Sequence, residues 1–234
     1  MLETASRECE NEILNHHAEI LNLSWRVMIT IVDYKAGNLT SVKRAFDYLG
    51  IPNQVSADPQ AVQAAERIVF PGVGHAGTAM RVLKERGLDS ALKTAYLQGT
   101  PILGICIGCQ IILSHSEEGD TDCLDLVPGT CAHFQLQDAT LKIPHMGWNE
   151  VTVTKPHPII SHIRPGDEFY FVHSFYPQPY DPGTVYATTE YGITFPVAIG
   201  AGNLFAVQFH AEKSGPVGLR LLENFAHWNS GDAL

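Results

Sequence analysis

A cysteine flanked by glycines stands where an apolar strand pattern gives way to an apolar helix pattern, in Gly104-Ile-Cys106-Ile-Gly108. This G-x-nucleophile-x-G arrangement is typical of a sharp strand-to-helix turn that exposes a nucleophile, here a thiol instead of a serine hydroxyl. The N–H groups and the positive dipole end at the start of a helix favour a thiolate. The spacing therefore predicts that Cys106 is a nucleophile. The alternative is a buried structural cysteine, because free cysteine is among the most buried residue types.

A thiol nucleophile needs a partner that exchanges protons near neutral pH, and histidine is the side chain that does so. His210 follows a strand pattern at residues 203–209, and Glu212 lies two residues further on. Because residues i and i+2 of an extended chain point to the same side, the carboxylate of Glu212 is expected to orient the imidazole of His210.

Acyl chemistry also needs hydrogen-bond donors for the oxyanion that forms during attack. The backbone N–H of Ile107, next after the nucleophile, is one candidate. The glycines of Pro71-Gly-Val-Gly74 let a second strand-end loop turn its amides inward. The sequence thus predicts an oxyanion hole from Ile107 with Gly72, Val73 and Gly74, and the alternative is an ordinary strand-to-helix turn.

The elements that must position these residues alternate between strand and helix from residue 28 onward. Strand patterns lie at residues 28–33, 54–55, 67–70 and 101–105, and helix patterns at residues 39–49, 78–93 and 107–113, the first of them capped by Asn38. Such alternation predicts parallel βαβ units under covering helices.

The second half of the chain has shorter strand patterns separated by proline and glycine, at residues 150–154, 168–172, 185–188, 196–199 and 203–209. Their close spacing favours antiparallel pairing or additions at the edge of the first sheet. The prediction is an α/β fold of flavodoxin-like type, with three layers and a mostly parallel sheet that gains antiparallel strands in its second half. Residues 28–234 form one domain, and residues 1–27 are expected to be a poorly ordered N-terminal extension.

Composition excludes several classes of protein. With 234 residues, 45% of them hydrophobic and 17% charged, the chain is neither disordered nor a multi-span membrane protein. Its net charge of -10 argues against nucleic-acid binding. An odd number of cysteines, 5, without a secretory signal indicates free thiols in a reducing compartment, so a cytoplasmic location is expected. No cofactor is expected, and a metal site is disfavoured because Cys106 and Cys109 have no second cysteine pair at zinc spacing.

These motifs together resemble the triad-type (class I) glutamine amidotransferases. The resemblance is carried by Pro71-Gly-Val-Gly74, Gly104-Ile-Cys106-Ile-Gly-Cys-Gln110 and Gln208-Phe-His210-Ala-Glu212-Lys-Ser214. It extends from about residue 28 to residue 228. Three further motifs are similar to the branch that forms the glutaminase subunits of imidazole-glycerol-phosphate synthases, namely Pro144-His-Met-Gly-Trp-Asn149, Tyr170-Phe-Val-His-Ser-Phe-Tyr176 and Tyr191-Gly-Ile-Thr-Phe195.

The resemblance implies roles for individual residues. Cys106 would be the nucleophile, His210 the general base and acid, and Glu212 the orienting carboxylate. Positions that hold the L-glutamine substrate in the family are matched by Gly74, Gln110, Ser174 and Phe175, and positions that face a partner by Trp148, Asn149, Tyr170 and Lys213. The implied partner is a (β/α)₈-barrel cyclase in a heterodimer, which receives the ammonia and makes imidazole glycerol phosphate and AICAR in histidine biosynthesis. The family likeness also implies that the glutaminase is nearly idle until the cyclase site is occupied.

Two residues depart from the family pattern. Cys109 replaces a common methionine and is interpreted as a small core side chain, and Ala211 replaces the proline between His210 and Glu212. Three other functions stay open: a cysteine peptidase, an amidotransferase subunit that supplies a different biosynthetic cyclase, and a non-catalytic scaffold of the same fold.

Overall fold

The computed structural model describes residues 27–35 and 37–230. The predicted N-terminal extension lies outside the described residues except for Val27. The strands in chain order are β1 (Ile29–Val32), β2 (Asn53–Ser56), β3 (Arg67–Gly72), β4 (Ile102–Cys106), β5 (His115–Ser116), β6 (Thr121–Asp122), β7 (Gly129–His133), β8 (His145–Glu150), β9 (Thr152–Val153), β10 (Glu168–His173), β11 (Phe175–Pro179), β12 (Val185–Glu190), β13 (Thr194–Ala201) and β14 (Leu204–Val207). The α-helices are α1 (Leu39–Tyr48), α2 (Pro59–Gln63), α3 (Ala76–Arg86), α4 (Leu88–Leu97), α5 (Ile107–Ile111) and α6 (Gly215–His227).

Eight strands form one sheet in the order β2-β1-β3-β4-β14-β13-β12-β9. The first five of these pair in parallel, and β13, β12 and β9 are added antiparallel. This arrangement confirms the predicted α/β fold with a mostly parallel sheet and antiparallel additions from the second half of the chain. Its consequence for function is that β4 and β14, far apart in sequence, are neighbours.

Two hydrophobic clusters cover the two faces of this sheet. Successive side chains of a strand point to opposite faces, and Ile31 of β1 accordingly joins one cluster while Val32 joins the other. The first cluster contains the buried faces of α1 and α6, and the second contains those of α3 and α4. The result is the expected three-layer arrangement of helix, sheet and helix.

The helix predicted at residues 78–93 is wrong in its extent, because two helices occupy this region. Helix α3 ends at Arg86 and α4 begins at Leu88. Gly87 between them has φ 69°, the left-handed conformation that glycine adopts without a Cβ penalty and that commonly ends a helix.

The second half also forms two small sheets that the strand patterns did not predict. Strand β8 pairs with β10, and β11, β7, β5 and β6 form a four-stranded sheet. The strand predicted at residues 150–154 is in fact divided, because β8 ends at Glu150 and β9 begins at Thr152 in a different sheet. None of the helices in the described part of the chain is long and apolar enough to cross a membrane.

Candidate active site

Cys106 lies at the end of β4, and helix α5 begins at the next residue. Its backbone has φ 55° and ψ −107°, a sparsely populated conformation for a residue with a Cβ. The glycines on either side permit this turn. A Cβ at Gly108 would lie 1.9 Å from the carbonyl oxygen of Phe70, and one at Gly104 would lie 3.0 Å from the Cβ of Ala206. Only glycine therefore fits at position 108, and a larger residue at position 104 would have to displace its neighbours.

His210 reaches Cys106 from the neighbouring parallel strand. Strand β14 pairs with β4, with Val207 opposite Ile105, so the chain beyond β14 emerges beside the cysteine. The N–H of His210 donates to the carbonyl oxygen of Tyr170 (2.9 Å), which holds this segment against β10. The imidazole is fully buried. The structure therefore brings together the two side chains that the sequence predicts as nucleophile and base.

Glu212 contacts the far side of this imidazole. Its Oε1 lies 2.7 Å from Nδ1 of His210, and both side chains are fully buried. The contact does not arise from an extended chain, as predicted, because Ala211–Lys213 form a 3-10 turn that curls Glu212 back onto His210. Since a carboxylate only accepts hydrogen bonds, Nδ1 of His210 carries the hydrogen and Nε2 is directed toward Cys106.

Opposing effects act on the pKa of His210. Burial lowers it, but the interactions with Cys106 and Glu212 outweigh burial and raise the pKa to about 10. Within the described residues Nε2 makes no hydrogen bond of standard geometry, although Cys106 is close enough to affect the ring. The imidazole therefore carries a proton on both ring nitrogens at neutral pH, and its Nε2–H faces Sγ of Cys106.

Asn38 is a third contact of this cluster, and sequence analysis assigned it a different role. It occupies the N-cap position of α1, but its side chain makes no capping hydrogen bond. Its Nδ2 instead donates to Oε1 of Glu212 and lies 3.4 Å from Nδ1 of His210. Asn38 thus takes the predicted N-cap position, but the predicted cap by its side chain is wrong, because its left-handed backbone (φ 63°) directs the side chain to Glu212.

The residues predicted for an oxyanion hole lie around Cys106. Gly72 ends β3 and pairs with Cys106 across the sheet, and Ile107 is the first residue of α5. A Cβ at Gly72 would lie 1.9 Å from the hydroxyl of Tyr34, so only glycine fits there. Val73 and Gly74 continue from β3 and line the same cavity as Cys106.

This cavity has a volume of about 280 Å³ and is the candidate substrate pocket. Its lining includes all four residues predicted for substrate binding, and also two ionisable residues that sequence analysis did not select, Glu118 and His173. One oxygen of Glu118 accepts the N–H of Ala76 at the start of α3 (2.6 Å). The position of Glu118 in a loop between two short strands gave no sequence signal for such a role.

The amide of Gln110 is engaged by the protein itself. Its Nε2 donates to the carbonyl oxygen of Phe175 (3.0 Å) and to Oε1 of Gln208 (3.1 Å). Nε2 of Gln208 in turn lies 3.9 Å from Sγ of Cys106. Gln110 and Gln208 thus fix the wall of the cavity on the side of the nucleophile.

A second buried chain of hydrogen bonds leads to the carbonyl oxygen of Phe175, which also accepts from Gln110. Nδ1 of His173 is 2.7 Å from the oxygen of Phe175, Nδ1 of His145 is 3.1 Å from Nε2 of His173, and Nδ2 of Asn149 is 3.3 Å from Nε2 of His145. Burial lowers the pKa of His145 to about 4 and that of His173 to about 3, so both rings are neutral at pH 7. Each neutral ring then donates from Nδ1 and accepts at Nε2 along the whole chain.

Three of the residues predicted to face a partner lie on the ribbon formed by β8 and β10, and the fourth, Lys213, lies in the 3-10 turn of Ala211–Lys213. Trp148 is 54% exposed and lies opposite Tyr170, with their ring centroids 6.1 Å apart. Nζ of the exposed Lys213 lies 6.0 Å from the centroid of the Tyr170 ring, and that ring is 6.4 Å from the imidazole of His210. Asn149 differs from this group because its amide donates to the carbonyl oxygen of Glu190 (2.9 Å). An aromatic surface thus adjoins the candidate active site.

Cys109 is fully buried, in agreement with its interpretation as a core side chain. Burial, followed by the proximity of Cys106, raises the pKa of its thiol well above the ordinary value. Cys106 is the cysteine that lines the cavity, so it is the thiol placed to meet a ligand.

Comparisons with known proteins agree with the geometry. The family model described as "Glutamine amidotransferase class-I" matches residues 30–228. The imidazole glycerol phosphate synthase subunit HisH of Nitratidesulfovibrio vulgaris is 50% identical over 203 residues, which cover 85% of this chain and 95% of that protein. The protein of the same name from Thiobacillus denitrificans is 45% identical over 215 residues, covering 88% of this chain and 93% of that one. The solved structure of PurLQS from Thermotoga maritima superposes with a TM-score of 0.66 at 17% identity, over 86% of this chain and 98% of that chain, and shows the fold alone.

Proposed function

Because this chain belongs to the class-I glutamine amidotransferase family, we propose that Cys106, His210 and Glu212 hydrolyse the side-chain amide of L-glutamine and that a partner cyclase uses the ammonia. The observation that carries this proposal is the imidazole of His210, held between Glu212 at 2.7 Å and the thiol of Cys106 at the wall of a small cavity. A nucleophile, a base and a group that orients the base are the components that acyl transfer needs.

In the proposed first step, Sγ of Cys106, whose proton is held on Nε2 of His210, attacks the carboxamide carbon of glutamine. The carbon–nitrogen bond of the resulting tetrahedral intermediate breaks, and Nε2 of His210 gives its proton to the departing nitrogen. The raised pKa of His210 supports this role, because the imidazole then holds the proton that ammonia release requires. The products are ammonia and a γ-glutamyl thioester on Cys106.

The second step hydrolyses this thioester. The now neutral His210 takes a proton from water as the oxygen attacks the thioester carbon, and the carbon–sulfur bond breaks to release glutamate. Oxyanions in both steps are stabilised by the N–H of Ile107 and an amide of the loop formed by Gly72, Val73 and Gly74. Gly72 lies opposite Cys106 in the sheet, which supports this assignment.

The cavity supports a free amino acid as the substrate. Its volume of about 280 Å³ is at the lower end of ligand pockets, which are on the order of 300–1,000 Å³. Gly74, Gln110, Ser174 and Phe175 line it, and Glu118 adds a carboxylate that can pair with the α-ammonium group of glutamine. A peptide substrate has no such ammonium group at an internal residue.

The proposed partner is a (β/α)₈-barrel cyclase, with which this chain forms a heterodimer that makes imidazole glycerol phosphate and AICAR. The support comes from two relatives, 50% and 45% identical, whose names describe a subunit of imidazole glycerol phosphate synthase. Trp148, Tyr170 and Lys213 form the proposed contact surface, with Asn149 beside them. We place the complex in the cytoplasm, where a reduced thiol such as Cys106 persists.

Replacing Cys106 with serine tests the proposal in the complex of this chain with the cyclase and the cyclase's ligand. We expect ammonia and glutamate production from glutamine to fall by at least about 10³-fold, because a hydroxyl is a far weaker nucleophile than a thiol at this site. Binding to the cyclase should stay within about twofold, because Cys106 is buried away from the surface.

Three results would contradict this proposal. Full turnover of glutamine by Cys106→Ser would refute the assignment of Cys106 as the nucleophile. Cleavage of peptides, with free glutamine left intact by the wild-type complex, would favour a peptidase. A wild-type complex that binds its partner and releases no ammonia would identify a non-catalytic scaffold.

A further inference from the structure

The side-chain amide of Asn38 contacts the His210–Glu212 pair from a distant part of the sequence. Nδ2 of Asn38 donates to Oε1 of Glu212, the same oxygen that lies 2.7 Å from Nδ1 of His210. We propose that Asn38 is a positioning residue, which holds the carboxylate of Glu212 and thereby fixes the imidazole of His210 toward Cys106. This inference rests on the proposed glutamine hydrolysis and adds a residue to it.

The orientation of the amide follows from the chemistry of its neighbours. The carboxylate of Glu212 only accepts hydrogen bonds, and Nδ1 of His210 already donates to it. Asn38 must therefore present its NH₂ group rather than its oxygen to the pair. The 3.4 Å separation between Nδ2 of Asn38 and Nδ1 of His210 is then the approach of two donors to one shared acceptor.

Glu212 depends on this second donor because it has few other partners. Its side chain is fully buried, and Oε2 has no hydrogen bond among the described residues. A buried carboxylate is stable only when its oxygens are hydrogen-bonded. Without Asn38, His210 would be the sole side-chain donor to Glu212, and the carboxylate could rotate about its own side chain and take the imidazole with it.

The backbone conformation of Asn38 makes this contact possible. Its φ of 63° and ψ of 1° place it in the left-handed region, where asparagine is several-fold more frequent than most residues. An N-cap residue normally has an extended conformation, in which its side chain accepts from the first turn of the helix. The left-handed turn directs the amide away from helix α1, toward the 3-10 turn that carries Glu212.

Gly37, directly before Asn38, lies close to the oxyanion loop. Gly37 has φ 62°, and a Cβ on it would lie 3.0 Å from Cγ2 of Val73. Helix α1, on the other side of Asn38, contacts the 3-10 turn of Ala211–Lys213. The position of the amide is thus set by packing on both sides, as expected for a group that orients another.

Two substitutions separate the role of the amide from that of the left-handed turn. Asn38→Gly adopts the turn without strain and lacks the amide. Asn38→Asp keeps the size and the tolerance for the turn, but places a second carboxylate against Glu212. In the complex with the cyclase and its ligand, we expect Asn38→Gly to lower kcat for glutamine hydrolysis about 10- to 100-fold, with KM changed less than about threefold. Asn38→Asp should lower kcat at least as much.

A second measurement does not depend on catalysis. The pKa of His210, followed by nitrogen-15 NMR of the imidazole in the complex, should be lower in Asn38→Gly than the value of about 10 in the wild type. The reason is that a mobile Glu212 stabilises the imidazolium less. Thermal unfolding should show that both variants are folded.

The two measurements keep the outcomes apart. Wild-type kcat in both variants, or an unchanged pKa of His210 in Asn38→Gly, would overturn the proposal. Asn38 would then serve only to form the left-handed turn before helix α1. If the wild-type complex itself releases no ammonia, the proposed hydrolysis fails, and the NMR result still decides whether Asn38 holds the pair.

Discussion

At the scale of single residues, the nucleophile stands out by its backbone. Cys106 has φ 55° without being a glycine, and such a conformation costs about 1–3 kcal/mol. The close packing of Gly108 on Phe70 and of Gly104 on Ala206 imposes this turn. The same turn places Cys106 at the wall of the cavity and makes Ile107 the first residue of α5, where an N–H has no acceptor within the helix. The strained backbone thus gives a ligand access to the reacting sulfur.

This strain predicts an unusual effect of glycine at position 106. We expect Cys106→Gly to have a free energy of unfolding about 1 kcal/mol higher than Cys106→Ala, because glycine relieves the strained φ and offsets its larger entropy loss on folding. Urea unfolding of the two variants measures the difference. A glycine variant that is less stable than the alanine variant would show that the turn is not strained.

At the scale of elements, the β8–β10 ribbon connects the surface to the wall of the cavity. His145 is stacked between Phe171 and Tyr191, with centroid distances of 4.8 and 4.1 Å, and passes its hydrogen bond to His173. His173 holds the carbonyl oxygen of Phe175, a residue of the substrate pocket. Each ring can donate from Nδ1 and accept at Nε2 only while it is neutral, because a protonated ring donates from both nitrogens.

The lowered pKa of His145 gives the stability a dependence on pH. The unfolded chain binds a proton at this residue below its ordinary pKa of 6.5, whereas the folded chain does so only below about 4. The stabilisation is therefore complete above pH 6.5 and is lost as the pH falls through that interval. His145→Phe keeps the stacking but cannot bind this proton. The slope of the unfolding free energy against pH between 6.5 and 4 should therefore decrease by up to about 1.4 kcal/mol per pH unit, the value for one proton. Equal slopes in denaturant titrations of the two proteins would contradict this prediction.

At the scale of the whole molecule, the parallel sheet gathers the site at one edge. The nucleophile, the oxyanion loop, Asn38 and His210 follow β4, β3, β1 and β14, and all lie beyond the carboxyl ends of these strands. Open α/β sheets commonly bind ligands at this edge. The β8–β10 ribbon packs against His210 through Tyr170, and Trp148 beside Tyr170 lies at the molecular surface.

The exposed aromatic surface on this ribbon predicts an effect on partner binding. We expect Trp148→Ala to weaken binding of the cyclase by at least about 2 kcal/mol, or about 30-fold, because tryptophan is enriched among residues that dominate interfaces. Leu97→Ala is the matched control, since Leu97 is 83% exposed at the end of α4 and belongs to no predicted contact. Calorimetric titration of both variants measures the change. Equal affinities of Trp148→Ala and Leu97→Ala for the cyclase would place the interface elsewhere.

Local patterns in the sequence were sufficient for most of the parallel half of the fold. The alternation of strands and helices depends on nearby residues, and Gly104 and Gly108 mark the turn at Cys106 without any distant contact. The strand pattern at residues 168–172 matched β10, but the small sheets were not predictable in the same way, because they depend on the long-range pairing of β10 with β8 and of β11 with β7. Gly87 is a signal for a helix end, but the helical pattern continues on both sides of it, and a single helix was therefore predicted.

For the candidate site, the sequence by itself determined which side chains can do the chemistry: a thiol at a glycine-flanked turn and a histidine with a carboxylate two residues later. Tertiary structure alone decided that β4 and β14 are neighbours, which brings His210 to Cys106. It also decided that Asn38 faces the His210–Glu212 pair and Glu118 faces the cavity. The physical reason is that reactivity is a property of a residue and its immediate neighbours, whereas the pairing of β4 with β14 and the contact of Asn38 with Glu212 join segments more than a hundred residues apart.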